Sequence, residues 1–492
     1  MFVSDWVFIL LTVLLCLIVV KTFYRQKKTN VFNYPPGPKP LPIIGNLHII
    51  NMKKPYKTYL ELSKIYGPVF SIHIGMQRSV VLCGHETVKD ALIKHAEEFS
   101  ARPLVPIFHD AFNGYGIVFS NGESWKAMRR FALSALRNVG AGKTSIENIV
   151  NEECDFLVEK FKSYRGTNFK NNTVLHAAVG NIILSILIGH RFDYDSPTIL
   201  RLISLVQENI KLAGSPMALI YNVFPSVLRW LPGSHNTFKR NEAELKQFIE
   251  ENFIQHKKKL DKNDQMDLID VFLVKQLEKN NKESHFHVNN LIFLAHNMFI
   301  AGTDSVSTTL QWGILFMIKY PKIQMKVQKE IEKVIGSNQP QLKHKTLMPY
   351  TNAVIHEIQR FADVLPLNLP RSTTQDLTFR GYFLPKGTVV IPLLTSVLND
   401  KDQFERPDEF YPQHFLDSEG NFVKKEAFIP FSAGERSCTG ENLAKIEIFL
   451  FFTRLLQNFT FQVPPGTKLD LTSGIGFTTP PILYDISALP RA

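Results

Sequence analysis

Phe431-Ser432-Ala433-Gly434-Glu435-Arg436-Ser437-Cys438-Thr439-Gly440 is followed at once by Glu441-Asn442-Leu443-Ala444-Lys445-Ile446-Glu447-Ile448-Phe449-Leu450. The second run is a strong helix pattern, so Cys438 is expected at a helix N-terminus among unpaired backbone N–H groups. Such a place favours the thiolate, the form in which cysteine acts as a ligand. Gly434 and Gly440 lack a Cβ, which lets the chain turn tightly and a flat partner approach closely. Arg436, two residues before the sulfur, can make a charge-assisted hydrogen bond to an anion. A free cysteine buried in a glycine-containing turn is the plainer reading of the same residues.

The first run resembles the haem loop of the cytochrome P-450 superfamily, Phe-x-x-Gly-x-Arg-x-Cys-x-Gly. All five fixed positions match, 54 residues from the C-terminus. The resemblance implies haem b with Cys438 as the axial ligand of its iron and Arg436 on a propionate. It also implies a cytochrome P-450 fold, mainly α with small β-sheets. Met348-Pro349-Tyr350-Thr351 and Pro430-Phe431-Ser432-Ala433-Gly434 look most like the vertebrate family-2 microsomal enzymes.

Working outward, length and content allow a large core: 492 residues, 45% of them hydrophobic. Cys16, Cys83, Cys154 and Cys438 contain no C-x-x-C pair, so neither a zinc site nor a disulfide framework is suggested. The net charge of +11 raises nucleic acid as a partner, but eight Lys or Arg and no acid fall in residues 6–60, leaving only +3 elsewhere. That excess flanks the apolar run Trp6–Val20, and the partner it suggests is membrane lipid rather than nucleic acid.

Residues 2–20 are just long enough to span a bilayer. They lack the basic n-region and small-residue cut site of a cleavable signal peptide, which favours an uncleaved anchor. Residues 21–42 form a basic and proline-rich linker, with five prolines among Pro35–Pro42. Residues 43–492 are read as one haem-thiolate catalytic domain on the cytosolic side. An endoplasmic reticulum membrane address comes from the resemblance.

Val69–Ile74 and Ser79–Leu82 read as short strands about Gly75-Met76-Gln77. Helical periodicity dominates from about residue 86 to 361, and β-branched, Pro- and Gly-rich sequence follows Pro366. Pro216–Leu231 is apolar but holds two prolines, which forbids one continuous helix. It resembles a membrane-dipping, channel-lining segment, and an ordinary buried helix-loop accounts for it equally well.

Glu357 and Arg360 share a helix face at i,i+3. By itself that spacing describes a solvated pair of small worth. It is the only Glu-x-x-Arg in the chain, and the resemblance makes Glu357, Arg360 and Arg406 a buried network that fixes the haem loop. Trp125 and Arg129, at i,i+4, share another face. By resemblance they bind propionate opposite Arg436, with Arg102 and Arg371 as further propionate partners; a solvated surface arginine is the plain reading of each.

Ala301-Gly302-Thr303-Asp304-Ser305 lies in a long apolar helix pattern from Leu294 to Tyr320. Small Ala301 and Gly302 let a porphyrin and O2 lie against the backbone. Hydroxyls that bond back to earlier carbonyls loosen such a helix. Asp304 and Ser305 supply an acid and an alcohol for proton delivery to dioxygen. The family usually has threonine where this chain has Ser305, which lacks the methyl that fixes a rotamer.

The resemblance thus implies an NADPH- and O2-dependent monooxygenase, an oxidoreductase acting on apolar organic substrates such as fatty acids, steroids or xenobiotics. Tyr115, Phe119, Ala301, Leu367 and Phe477 are its expected substrate pocket. No G-x-G-x-x-G fingerprint is present, so electrons should come through a separate NADPH-cytochrome reductase docking near Cys438. Glu435 replaces a base that many relatives carry on that surface. Two rivals stay open: an O2-independent isomerase or dehydratase of the same fold, and a haem-binding sensor without turnover.

Overall fold

The computed structural model describes residues 33–139, 145–261, 267–278 and 285–491, together with Val13. Apart from Val13, the expected anchor over 2–20 lies outside the described residues, as does the linker up to residue 32. Among the described residues, no helix is long and apolar enough to cross a membrane.

Sixteen α-helices are described: α1 Pro55–Tyr66, α2 His85–Lys89, α3 Pro106–Phe112, α4 Gly122–Val139, α5 Ile146–Ser163, α6 Asn172–Ile188, α7 Pro197–Ala213, α8 Pro216–Val223, α9 Pro225–Leu228, α10 Ser234–Lys259, α11 Leu268–Glu278, α12 Val288–Lys319, α13 Pro321–Val334, α14 Pro349–Ala362, α15 Leu394–Leu398 and α16 Glu441–Asn458. The strands are β1 Val69–Ile74, β2 Gln77–Leu82, β3 Arg371–Ser372, β4 Leu377–Phe379, β5 Tyr382–Leu384, β6 Val389–Pro392, β7 Phe459–Gln462 and β8 Ser487–Pro490. A mainly α fold with small sheets is what the sequence implied.

Proline sets many of the helix starts. Seven of these helices carry it in the first two positions, where its missing N–H costs no hydrogen bond and its fixed φ suits the first turn. Pro225 accordingly splits the apolar 216–231 stretch into α8 and α9.

The described residues group into two compact units, one drawn from Met1–Pro103 and Leu367–Leu393, the other from Leu104–Pro366 and Leu394–Ala492. The smaller unit is built on a four-stranded sheet of order β1-β2-β6-β3. β1 and β2 form an antiparallel hairpin in which Ile74 pairs Gln77, leaving Gly75 and Met76 as a two-residue turn. Gly75 takes φ 61°, which a glycine at the first loop position allows without strain. β2 then pairs β6 in parallel, with Ser79 opposite Val389, and β3 pairs β6 antiparallel.

The larger unit is helical, with β7 and β8 as its antiparallel ribbon. Its core centres on α6 and α12. α6 is buried on nearly every face, consistent with an almost wholly apolar sequence. Close contact between the two helices is permitted by Gly302, where a Cβ would stand 2.7 Å from the Ile183 side chain. Gly302 therefore serves helix packing.

Candidate active site

In the larger unit, α16 begins at Glu441 with Gly440 as its N-cap, as the pattern after Cys438 required. The loop before it is closed by the Cys438 N–H donating to the Phe431 carbonyl at 2.9 Å, with Ser432 at φ 61° and Gly434 at φ 72°. Among the described residues Cys83 and Cys154 are buried and Cys438 alone is exposed. Although its surface is open, protein surrounds Cys438 on other sides and pushes the thiol pKa up. The Gly440 N–H and the Arg129 charge oppose that rise, and Glu441 adds to it. The helix N-terminus thus contributes in the expected sense but does not alone hold the sulfur as an anion; a bound cationic metal would.

α4 covers this loop. Arg129 donates through Nη1 to Thr439 Oγ1 at 2.8 Å and through Nη2 to Ser437 Oγ at 3.1 Å. The Arg436 guanidinium lies 3.5 Å from the Trp125 ring centroid and donates to the Ser120 carbonyl at 2.8 Å and Asn121 Oδ1 at 3.1 Å. Trp125, Arg129, Arg436 and Cys438 are therefore one cluster, bridging helices more than 300 residues apart.

Arg102 and Arg371 belong to the smaller unit, where Ala101 bridges Ser372 of β3. Both are buried, contrary to the plain reading of solvated arginines. Arg102 Nη1 donates to the carbonyls of Leu369 at 3.0 Å and Pro370 at 2.8 Å. Leu367, in that unit as well, is half-buried.

The Glu357–Arg360 pair is fully buried on α14 and bidentate, with Nε and Nη2 each 2.8 Å from a carboxylate oxygen. Arg360 also donates to the carbonyls of Leu398, Pro407 and Glu409, each at 3.0 Å. The structure corrects the third member of this network. Arg406 is about half exposed; its side chain lies 3.6 Å from Glu409 and 4.6 Å from the Tyr411 ring centroid, away from the Glu357 carboxylate. His414 stands in its place: buried Nδ1 lies 3.2 Å from Glu357 Oε2, and Nε2 accepts the Arg406 N–H at 3.3 Å. The Tyr411 N–H completes the carboxylate at 2.8 Å.

On α12, Ser305 Oγ donates back to the Ala301 carbonyl at 2.7 Å, and Ser307 and Thr309 make the same four-residue return. Asp304 turns elsewhere. Its Oδ2 accepts from Thr478 Oγ1 at 2.7 Å and its Oδ1 lies 3.5 Å from His176 Nε2 of α6. The acid and the alcohol are chain neighbours with separate partners. Ala301 is exposed in a helix otherwise largely buried, so open space lies against it.

The expected pocket residues of this unit join a series of rings. Phe119 stacks on Phe108 at 4.5 Å, Phe108 meets Phe477 edge-on at 5.6 Å, and Tyr115 stacks on Phe293 at 5.9 Å. Phe108, Phe112 and Phe293 were not anticipated from the sequence; they come from α3 and α12, whose meeting leaves no local pattern.

A family model for Cytochrome P450 matches residues 35–488. The chain belongs to the cytochrome P450 family. It is 47% identical to "Cytochrome P450 2K6" of Danio rerio over 458 residues, covering 92% of this chain and 90% of that one. It is 48% identical to "Cytochrome P450 2F2" of Mus musculus, covering 90% and 91%, and 44% identical to "Cytochrome P450 2A13" of Homo sapiens, covering 98% and 99%. This cytochrome P450 is thus family-2-like, an oxidoreductase of the haem-thiolate monooxygenase kind that works with O2, a redox partner and a lipophilic substrate. The sensor and isomerase rivals give way to that assignment. The residues present fit a cysteine-ligated haem: one open thiol, and beside it an Arg129 cation whose acceptors are neutral hydroxyls.

Proposed function

We propose that Cys438 is the axial ligand of a haem b and that the protein inserts one oxygen atom of O2 into apolar organic compounds such as fatty acids, steroids or xenobiotics. The observation that carries this is the open Cys438 ahead of α16, in a loop whose flanking residues are held by α4, Ser437 and Thr439 by Arg129 and Arg436 by Trp125. When bound, the haem supplies oxygen activation, with the thiolate donating electron density to the iron.

The chain's own residues do the rest. Arg436, Arg129 and Trp125 hold propionate, with Arg102 and Arg371 assigned the same task by resemblance. Arg129, whose pKa is lowered chiefly by burial and raised by the Cys438 and Glu435 charges, stays cationic and gains most from an anionic partner. Ser305 holds a proton at Oγ against the Ala301 carbonyl and can turn it outward, since serine has no methyl to lock its rotamer. Asp304, oriented by Thr478 and His176, can after a rotation away from them pass on to Ser305 a proton taken up from solvent. Glu357, Arg360 and His414 brace the segment leading into the cysteine loop. Tyr115, Phe119, Ala301 and Phe477 contact the substrate and exclude water, with Leu367 assigned the same task by resemblance alone.

NADPH-cytochrome reductase is the proposed electron donor, and the exposed Glu435 near Cys438 alters the surface it would meet. Residues 2–20 are the proposed anchor in the endoplasmic reticulum membrane, joined by the 21–42 linker to a cytosolic catalytic domain over 43–492.

The test is the difference spectrum of the reduced, carbon monoxide-bound protein. Wild type should give the thiolate-type Soret band and Cys438→Ala should not. Retention of the band in that variant sinks the assignment.

A further inference from the structure

One buried histidine–carboxylate contact, between α12 and α10, has no part in the oxygen chemistry. His296, five residues before Ala301, is 1% exposed, and its Nε2 lies 2.6 Å from Oε2 of Glu242 on α10. That is a close contact, yet neither atom makes an aligned hydrogen bond. Glu242 is itself held from the other side, its Oε1 accepting from Asn209 Nδ2 at 2.6 Å. His296 Nδ1 is buried with no hydrogen-bond partner.

The surroundings of the His296 ring are aromatic. Phe112 and Phe293 meet the His296 ring edge-on at 5.4 and 6.2 Å. Phe112 continues through Phe119 and Phe108 to Phe477, the ring series assigned above to substrate. His296 is therefore the polar terminus of an otherwise phenyl-rich row. A buried polar atom left unpaired costs about 1–3 kcal/mol, and native chains retain one chiefly where something else supplies the partner. The next residue shows the contrast: Asn297 Oδ1 accepts the N–H groups of Ile117 and Val118.

We propose that His296, steadied by Glu242, is a substrate-recognition residue that takes the hydroxyl group of a planar aromatic alcohol. The proposal rests on the reading of the phenyl series as the substrate site. Ring faces and edges in that series suit a flat aromatic body. A hydroxyl both donates and accepts, so it pairs Nδ1 whether that nitrogen is bare or protonated. A carboxylate would add a second negative charge beside Glu242.

The test titrates the purified full-length holoenzyme, without reductase or NADPH, with naphthalene and 2-naphthol, reading the ligand-induced Soret shift. Wild type should bind 2-naphthol about ten-fold more tightly than naphthalene, the worth of one net hydrogen bond. His296→Leu should bring the two affinities level through loss of naphthol binding, and His296→Gln, which keeps a donor and an acceptor, should retain most of the preference. Should His296→Leu not fold, His296→Phe reads the same ratio. Equal binding by wild type, or an undiminished ratio in the apolar variant, overturns the proposal. Absence of any shift with either probe, while the carbon monoxide spectrum keeps its thiolate form, overturns the substrate-site reading beneath it as well.

Discussion

Replacing Glu357 by glutamine leaves the shape of the buried network almost unchanged and removes its only full negative charge. Arg360 is 0% exposed, so its guanidinium would then remain buried with carbonyl dipoles but no counter-ion. The glutamine amide would also point a donor at the donors of Arg360. Breaking a buried pair in this way costs about 3–5 kcal/mol, a factor of roughly 10² to 10⁴ in a folding equilibrium.

The contrast with two neighbours makes the reasoning testable. His414→Leu removes one contact to Glu357 and the acceptor of the Arg406 N–H, for about 1–3 kcal/mol. Arg406→Ala removes a half-exposed contact to Glu409 at 3.6 Å and a half-exposed stacking contact on Tyr411, losses that together should cost about 1 kcal/mol. The assay is urea unfolding of the purified holoenzyme, followed both by circular dichroism and by loss of the Soret band. The expected order of midpoints is Glu357→Gln lowest, then His414→Leu, with Arg406→Ala close to wild type. An Arg406→Ala midpoint as low as that of Glu357→Gln would refute the substitution of His414 for Arg406 in the network.

Gly214→Ala should lower the thermal midpoint by an amount equivalent to about 1–3 kcal/mol, because its Cβ would stand 2.0 Å from the Gly476 carbonyl carbon and strain the Phe477 N–H bond to the Ile210 carbonyl. An unchanged melting curve would remove that close approach from the account. His256 is raised to about 9, first by its hydrogen bond to Asp267, with burial opposing and the Asp267 charge adding to the rise. A folded pKa above the unfolded value stabilises fully below about pH 6.5 and fades as pH climbs through 9. Asp267→Asn should therefore cost on the order of 3 kcal/mol at pH 6 and little at pH 10 in paired denaturation curves; equal losses at both pH values would dismiss the charge as cause.

Local pattern carried a good part of this structure. The hairpin over 69–82 follows from alternation around Gly75, and α16 follows from the run after Cys438. The break at Pro225 is dictated by a missing N–H. E-x-x-R was legible as a pair because both members lie on one helix. Its third member was not, since Arg406 and His414 sit eight residues apart in irregular chain and only tertiary packing decides which turns inward. Asp304 was legible as an acid, but its direction is set by His176 and Thr478, 128 and 174 residues away. The phenyl row was half legible for the same reason: α3 and α12 each place rings whose meeting no window of sequence records.

The sheet of the smaller unit has a bearing on biosynthesis. Its second strand must wait for a parallel mate 310 positions further along, Ser79 opposite Val389. A ribosome therefore delivers some four-fifths of the polypeptide before that early hairpin can be completed, and meanwhile an unpaired strand edge is on offer to any passing chain. Nascent-chain handling, rather than final stability, is where this topology exacts its toll.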